Sequence, residues 1–336
     1  MTTSTTSTTM NAEQWIRPRR ARAHFPPYEL ADRDLVAVTE ERTRKLSRLY
    51  HVAHEKAWDG RAVLADLTAK HGGIRFPEEK KQAMGRLASV LLWGELAAWS
   101  ISADLALRLE DPAAKMAATS QVFDEARHFY VMREYLWQAG IEIPHLGGYS
   151  RTVLVELLET DNLLHKLVGM QLMVENIALT LFKAIAATEV EPVLTELLYY
   201  FERDEARHVG LGALTLPAVL PSLSELDAAK LWLFQLRIQL LLVAGGLTMR
   251  EAFATLGIDQ AAMQLYGFEL QNDVYQRIRG GRRDTTRARA TRGLLQISRA
   301  GQDRINKFLF PREGGPQPTW LRTLIRVAER GDRWLA

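Results

Sequence analysis

The chain has 336 residues, 47% hydrophobic and 25% charged, with a net charge of +3, enough for one large domain or two ordinary ones around a sizeable core. It contains no cysteine, which excludes disulfides, thiolate metal sites and cysteine-ligated iron–sulfur clusters. The charge is uneven: residues 277–336 carry 15 Lys/Arg against 5 Asp/Glu, a net +10, so the remainder carries −7.

In chain order, the first segment, MTTSTTSTTM, has no basic stretch followed by an apolar one, so it predicts no secretory signal. Residues 1–27 read as a disordered tail. From about Tyr28 onward, apolar residues recur at three- and four-residue steps, which predicts an all-α fold. Pro and Gly clusters break the pattern at LEDPAA (109–114), GIEIPHLGGYS (140–150), TEVEPV (188–193), LPAVLPSLSE (216–225) and FPREGGPQP (310–318). The segments between these breaks have the length of bundle helices. The most apolar run, LWLFQLRIQLLLVAGGL (231–247), holds two Gln and an Arg and reads as too short and too polar to span a membrane. The expectation is a soluble cytoplasmic protein: a helical bundle over 28–275 and a basic helical extension over 276–336. The basic run RIRGGRRDTTRARATRG (277–293) has no interleaved aromatic, which argues against nucleic acid. It reads as a solvated helix, a clamp on the acidic body, or a contact for an acidic carrier protein.

The word DEARH occurs twice, at 124–128 and 204–208. Glu95, in LWGELAAW, precedes Glu125 by 30 residues, and Glu175, in LMVENIAL, precedes Glu205 by 30. The midpoints fall beside Asp111-Pro112 and Glu191-Pro192, and proline favours the first turn of a new helix. Each half therefore reads as a helical hairpin that returns to its starting height, so that Glu95 faces Glu125 and Glu175 faces Glu205. The 140–150 loop would join the hairpins. In Glu-x-x-His, positions i and i+3 share one helix face. Glu125 with His128, and Glu205 with His208, can each bind a metal, and Glu95 and Glu175 add one carboxylate apiece. A lone carboxylate in such apolar surroundings is costly unless paired or metal-bound.

Asp124 and Asp204 precede their histidines by four residues, where each can accept a hydrogen bond from the non-ligating imidazole nitrogen. Arg127 and Arg207 are placed to pair with the aspartate of the opposite hairpin. Helical spacing from the ligands puts Trp99, Gln121, Met132, Gln171, Leu172, Ala178 and Leu179 on the site-facing side, as plain core or as substrate pocket. Gln121 and Gln171 are the informative members, since a buried amide needs partners. His51 and His54 form an i, i+3 pair with no evident carboxylate partner.

Four Glu and two His inside a four-helix bundle is the pattern of ferritin-like di-metal carboxylate proteins. Residues 85–215 resemble that superfamily, and the repeated D-E-x-R-H most resembles the hydroxylase subunits of bacterial multicomponent monooxygenases. The ribonucleotide reductase small subunit is a more distant likeness. The resemblance implies a four-helix bundle with additional N- and C-terminal helices. It also implies two Fe ions, or a Mn/Fe pair, held by Glu95, Glu125, His128, Glu175, Glu205 and His208, with O₂ as co-substrate. This sequence departs from its relatives at three places. Met132 stands where the reductase has its radical tyrosine, Leu179 where the monooxygenases have a threonine, and Phe201 where arylamine N-oxygenases have a third histidine.

The first functional reading is an oxygenase or oxidase that hydroxylates, N-oxygenates, epoxidises or desaturates a small organic substrate, free or bound to a carrier protein. No flavin or nicotinamide fingerprint is visible, so electrons would come from an external reductase or ferredoxin. A homodimer is common in the superfamily. The second reading is a ferritin-like iron-binding ferroxidase without an organic substrate.

Overall fold

Two capped turns set the architecture. The computed structural model describes residues 41–279, 299–310 and 318–336. The expected tail (1–27) and residues 280–293 of the basic run lie outside these. All regular elements among the described residues are helical. Helix α1 (Glu41–Glu55) and the short α2 (Gly60–Lys70) precede the first long hairpin, α3 (Glu78–Arg108) and α4 (Pro112–Gln138). At its turn the Asp111 side chain accepts the Ala113 and Ala114 N–H groups, and Pro112 opens the helix. Arg42 of α1 reaches the same carboxylate at 2.9 Å, and Lys115 Nζ donates to the last carbonyls of α3, those of Ala106 and Leu107.

The crossover is longer than the sequence suggests. After the loop comes a further helix, α5 (Gly148–Glu159), and the chain turns again at Thr160–Asn162, where the Asn162 side chain caps the next helix. That helix runs from Leu163 to Ala186 in three parts: α6 (Leu163–Lys166), a π-helical segment (Leu167–Val174) and α7 (Glu175–Ala186). It pairs with α8 (Pro192–Val219), whose N-cap is Glu191, accepting Leu194 N–H at 2.8 Å. The remaining helices are α9 (Glu225–Thr248), α10 (Arg250–Leu256), α11 (Gln260–Arg279), α12 (Arg299–Leu309) and α13 (Thr319–Leu335). Helix α11 lies across α7 and α8, while α13 packs on α5 and α9.

By length and composition, three helices are apolar enough to cross a membrane: Glu78–Arg108, Leu163–Ala186 and Glu225–Thr248. This corrects the reading of 231–247, because the helix extends beyond that run on both sides. The first two are apolar because they wall the bundle interior. Helix α9 buries only 28% of its apolar window.

Two apolar cores fill the bundle. One holds Ala97, Ile101 and Leu105 of α3 with Ala114 and Ala118 of α4, Leu167 to Met173 of the π segment and Leu211 and Leu216 of α8. The other holds Leu87 and Leu91, Met132 and Tyr135, Phe182 and Ile185, and Leu197 and Phe201. On each of the four walls a polar layer separates the two cores, and it contains the repeated word.

Candidate metal centre

Glu95, Glu125, His128, Glu175, Glu205 and His208 all lie in this layer, each at most 4% exposed. The structure brings them together as two groups, Glu95–Glu125–His128–Glu205 and Glu125–Glu175–Glu205–His208, within which one ligand atom from each residue lies within 4.8 Å of the others. Glu125 and Glu205 belong to both. His128 Nδ1 is 3.3 Å from Glu95 Oε2 and 3.2 Å from Glu205 Oε1. His208 Nδ1 is 3.0 Å from Glu125 Oε1 and from Glu205 Oε2, and 3.9 Å from Glu175 Oε2.

These donors fit two metal ions. Ligands about 2.1 Å from one ion and at right angles to each other stand about 3 Å apart, the spacing seen here. Glu125 Oε2, Glu205 Oε1 and His128 Nδ1 are buried without a hydrogen-bond partner, and coordination would satisfy all three. Burial pushes Glu95 and Glu175 well above the usual carboxylate range. Burial also opposes charge on His128 and His208, but the surrounding carboxylates outweigh it and hold both imidazoles well above their ordinary value. The layer therefore demands positive charge, and two divalent cations against four glutamates would meet that demand.

The other nitrogen of each imidazole fixes its orientation, with one correction to the expected pairing. His128 Nε2 faces Asp204 at 3.2 Å and His208 Nε2 faces Asp124 at 3.3 Å, so each histidine uses the aspartate of the opposite hairpin. An aspartate four residues before a histidine on the same helix sits one turn below it, whereas the facing helix brings its aspartate level with the ring. With Nε2–H donated to carboxylate, Nδ1 is left free to bind metal. The arginines do cross: Arg127 Nη2 donates to Asp204 at 2.7 Å and Arg207 Nη2 to Asp124 at 2.8 Å. Each arginine also bonds the aspartate of its own helix. Burial would raise Asp204, but His128, Arg207 and Trp58 together hold its carboxyl far below the usual range.

Gln121 donates to Glu125 Oε1 at 2.9 Å and to Glu175 Oε1 at 2.6 Å, and it accepts from Gln171 Nε2 at 2.9 Å. Both amides are buried, and the first touches ligands directly. Met132 and Leu172 are fully buried core residues, Leu179 is buried, and Ala178 is half-buried beside the second core. Trp99, placed on the site-facing side by its spacing from Glu95, is 37% exposed, with its ring 6.4 Å from that of Phe129. Thr180 donates its hydroxyl to the Asn176 carbonyl at 2.6 Å, within its own helix. Phe201 stacks on His128 with ring centroids 4.3 Å apart.

Sequence reasoning missed Trp58. Its Nε1 donates to Asp204 Oδ2 at 2.7 Å, and the Arg127 guanidinium lies 4.7 Å from its ring centre. A hydrogen-bonded line thus runs from a half-buried indole through Asp204 to His128. It joins residues 146 positions apart, and no local pattern announces it. The π segment was also missed. Glu175 N–H bonds the carbonyl of Met170, five residues back, so this candidate ligand emerges where the helix is widened.

The chain has a ferritin-like helical-bundle fold, with a buried carboxylate–histidine cluster at its centre. No protein-family model matches the sequence, and no curated protein matches it. The likeness is to solved structures of an R2-like ligand-binding oxidase with a reconstituted Mn/Fe cofactor. A valine-to-leucine mutant, aerobically reconstituted, is 16% identical with a TM-score of 0.54, over 74% of this chain and 98% of that one. A tyrosine-to-phenylalanine mutant is 16% identical with a TM-score of 0.53, over 81% and 99%. A valine-to-alanine mutant, anaerobically reconstituted, is 18% identical with a TM-score of 0.50, over 81% and 100%. At such identities the likeness is one of fold.

Proposed function

We propose that the protein is a di-metal oxidase or oxygenase that reduces O₂ and oxidises a small organic substrate. The observation that carries this reading is the pair of buried ligand groups sharing Glu125 and Glu205. Glu95 and His128 would help to hold one ion and Glu175 and His208 the other, with Glu125 and Glu205 available to both. Two iron ions, or the Mn/Fe pair of the structurally similar oxidase, would supply the electrons and binding positions that O₂ reduction needs. The chain's own residues do the rest. Asp204 and Asp124 hold the imidazoles in the tautomer that presents Nδ1, and Gln121 fixes one oxygen each of Glu125 and Glu175. Phe201 and the flanking cores keep water from the ligands. Electrons would come from an external reductase or ferredoxin, and the substrate would be apolar, in keeping with Met132, Leu172 and Leu179 around the site.

The test is O₂ uptake by protein loaded anaerobically with Fe(II), or with Mn(II) and Fe(II), alongside a Glu205→Ala variant. The proposal expects stoichiometric uptake in the wild type only, and an oxidised product when apolar amines, acids and alkenes are supplied with a reductant. Uptake accompanied by accumulation of many irons per chain and no organic product would instead establish a ferroxidase.

A further inference from the structure

The C-terminal helices present a surface that the metal centre does not explain. The inner side of α13 is apolar. Leu321 and Ala328 are buried, and Leu324 packs beside Leu247, Phe310 and Tyr149. The Asp332 side chain accepts the Tyr149 N–H at 2.9 Å at the start of α5, so the helix is anchored to the body. Its outer side carries two adjoining stripes. At 100° per residue, Arg322, Arg326, Arg330 and Arg333 fall on one, and Trp320, Val327 and Trp334, spaced by seven, fall on the next. Val327 is 59% exposed and Trp334 85%.

The aromatic stripe continues onto α12. Phe308, 58% exposed, stacks on Trp320 with centroids 4.1 Å apart and planes 8° apart, and Ile305, one turn earlier, is exposed as well. Arg304 adds charge beside it. Two of the three acidic residues on these helices are already engaged: Asp303 by Lys307 at 2.7 Å and Asp332 by Tyr149. On neighbouring α9, Leu226, Leu233 and Leu240 form another exposed stripe with the same seven-residue spacing. Apolar groups this large are costly in water unless something covers them.

We propose that the α12–α13 face docks on an anionic lipid surface. Indoles and aliphatic side chains settle at the level of lipid headgroups, and a parallel row of guanidiniums pairs with phosphates and acidic headgroups there. Charge complementarity selects this occupant, because the bare apolar stripe is bordered on the same helix by four arginines. Valine and isoleucine among the indoles favour acyl chains over stacked bases, which need aromatic platforms. The sequence predicts no membrane partner; docking at a lipid surface departs from that expectation and requires no spanning helix.

The experiment is co-sedimentation of the full-length, metal-loaded protein with vesicles of phosphatidylcholine alone and of phosphatidylcholine mixed with phosphatidylserine. It is run on the wild type, on Val327→Asn/Trp334→Ala and on Arg326→Glu/Arg330→Glu. These positions are exposed, so melting temperature and metal content should match the wild type. The proposal expects salt-sensitive binding to the anionic vesicles, a blue-shifted indole fluorescence, and about tenfold or greater weakening in both variants. It is overturned by failure to bind anionic vesicles or by variants that bind like the wild type. Tighter retention by a single-stranded oligonucleotide than by vesicles would also overturn it, as would self-association that the same substitutions abolish.

Discussion

Gln121 holds oxygens of Glu125 and Glu175 at once, so its amide sets the spacing between carboxylates of different hairpins. Gln121→Leu should keep the fold and weaken metal binding by about 10–100-fold, measured by competitive chelator titration. Unchanged affinity would mean that the amide merely fills space. Asp204 has a different weight. It accepts from Trp58, His128, Arg127 and Arg207, and is itself fully buried. Asp204→Ala leaves two buried guanidiniums to share the single carboxylate of Asp124 and should cost about 3–5 kcal/mol in denaturant unfolding, far more than a surface ion pair. Residues of this kind divide sharply in how visible they are in sequence. The six candidate ligands are legible because they recur at fixed spacing. The Asp–His crossing is not, since it depends on which facing helix brings a carboxylate level with each ring. Trp58 is invisible because its partner lies 146 positions away in the chain.

At the scale of elements, the hairpin turns were readable because Asp111-Pro112 and Glu191-Pro192 combine a capping carboxylate with a helix-starting proline. Helix α5 was hidden inside a segment read as one long helix, since its break at Thr160–Asn162 contains neither Gly nor Pro. The π segment has no compositional mark: Leu167–Val174 is as apolar as any core helix, and the extra width is decided by packing. Just before that segment, His165 stacks on Phe234 of α9 with centroids 4.0 Å apart and planes 7° apart. Burial pushes this imidazole down from 6.5 to about 4, against a weaker pull from Glu156. A folded value below the unfolded one means the native state favours the neutral ring. The stabilisation is full above pH 6.5 and is lost as the pH falls toward 4. His165→Phe keeps the stack and removes the titration. Across that window its melting temperature should fall less than that of the wild type, and parallel curves would refute the assignment.

Among the described residues the bundle is two apolar cores separated by one charged layer, with a smaller cluster around Leu247 and Phe310 beside it. Four glutamates, two histidines and two aspartate–arginine pairs occupy a plane that all four bundle helices cross. The cores make the layer dry and rigid, while the layer carries a charge demand that side chains alone meet poorly. Sequence reading reached the all-α class and the bundle because periodicity and the repeated word agree. The arrangement of α9 to α13 around it follows from surface complementarity, which no single segment displays. The most direct measurement is transition-metal content per chain after anaerobic loading and desalting, for the wild type and Glu125→Ala/Glu205→Ala. About two ions are expected in the wild type and, because both shared carboxylates are removed, near-complete loss in the variant. No retained metal in the wild type, or equal retention in both, would contradict this and leave the repeated DEARH as a structural charge lattice.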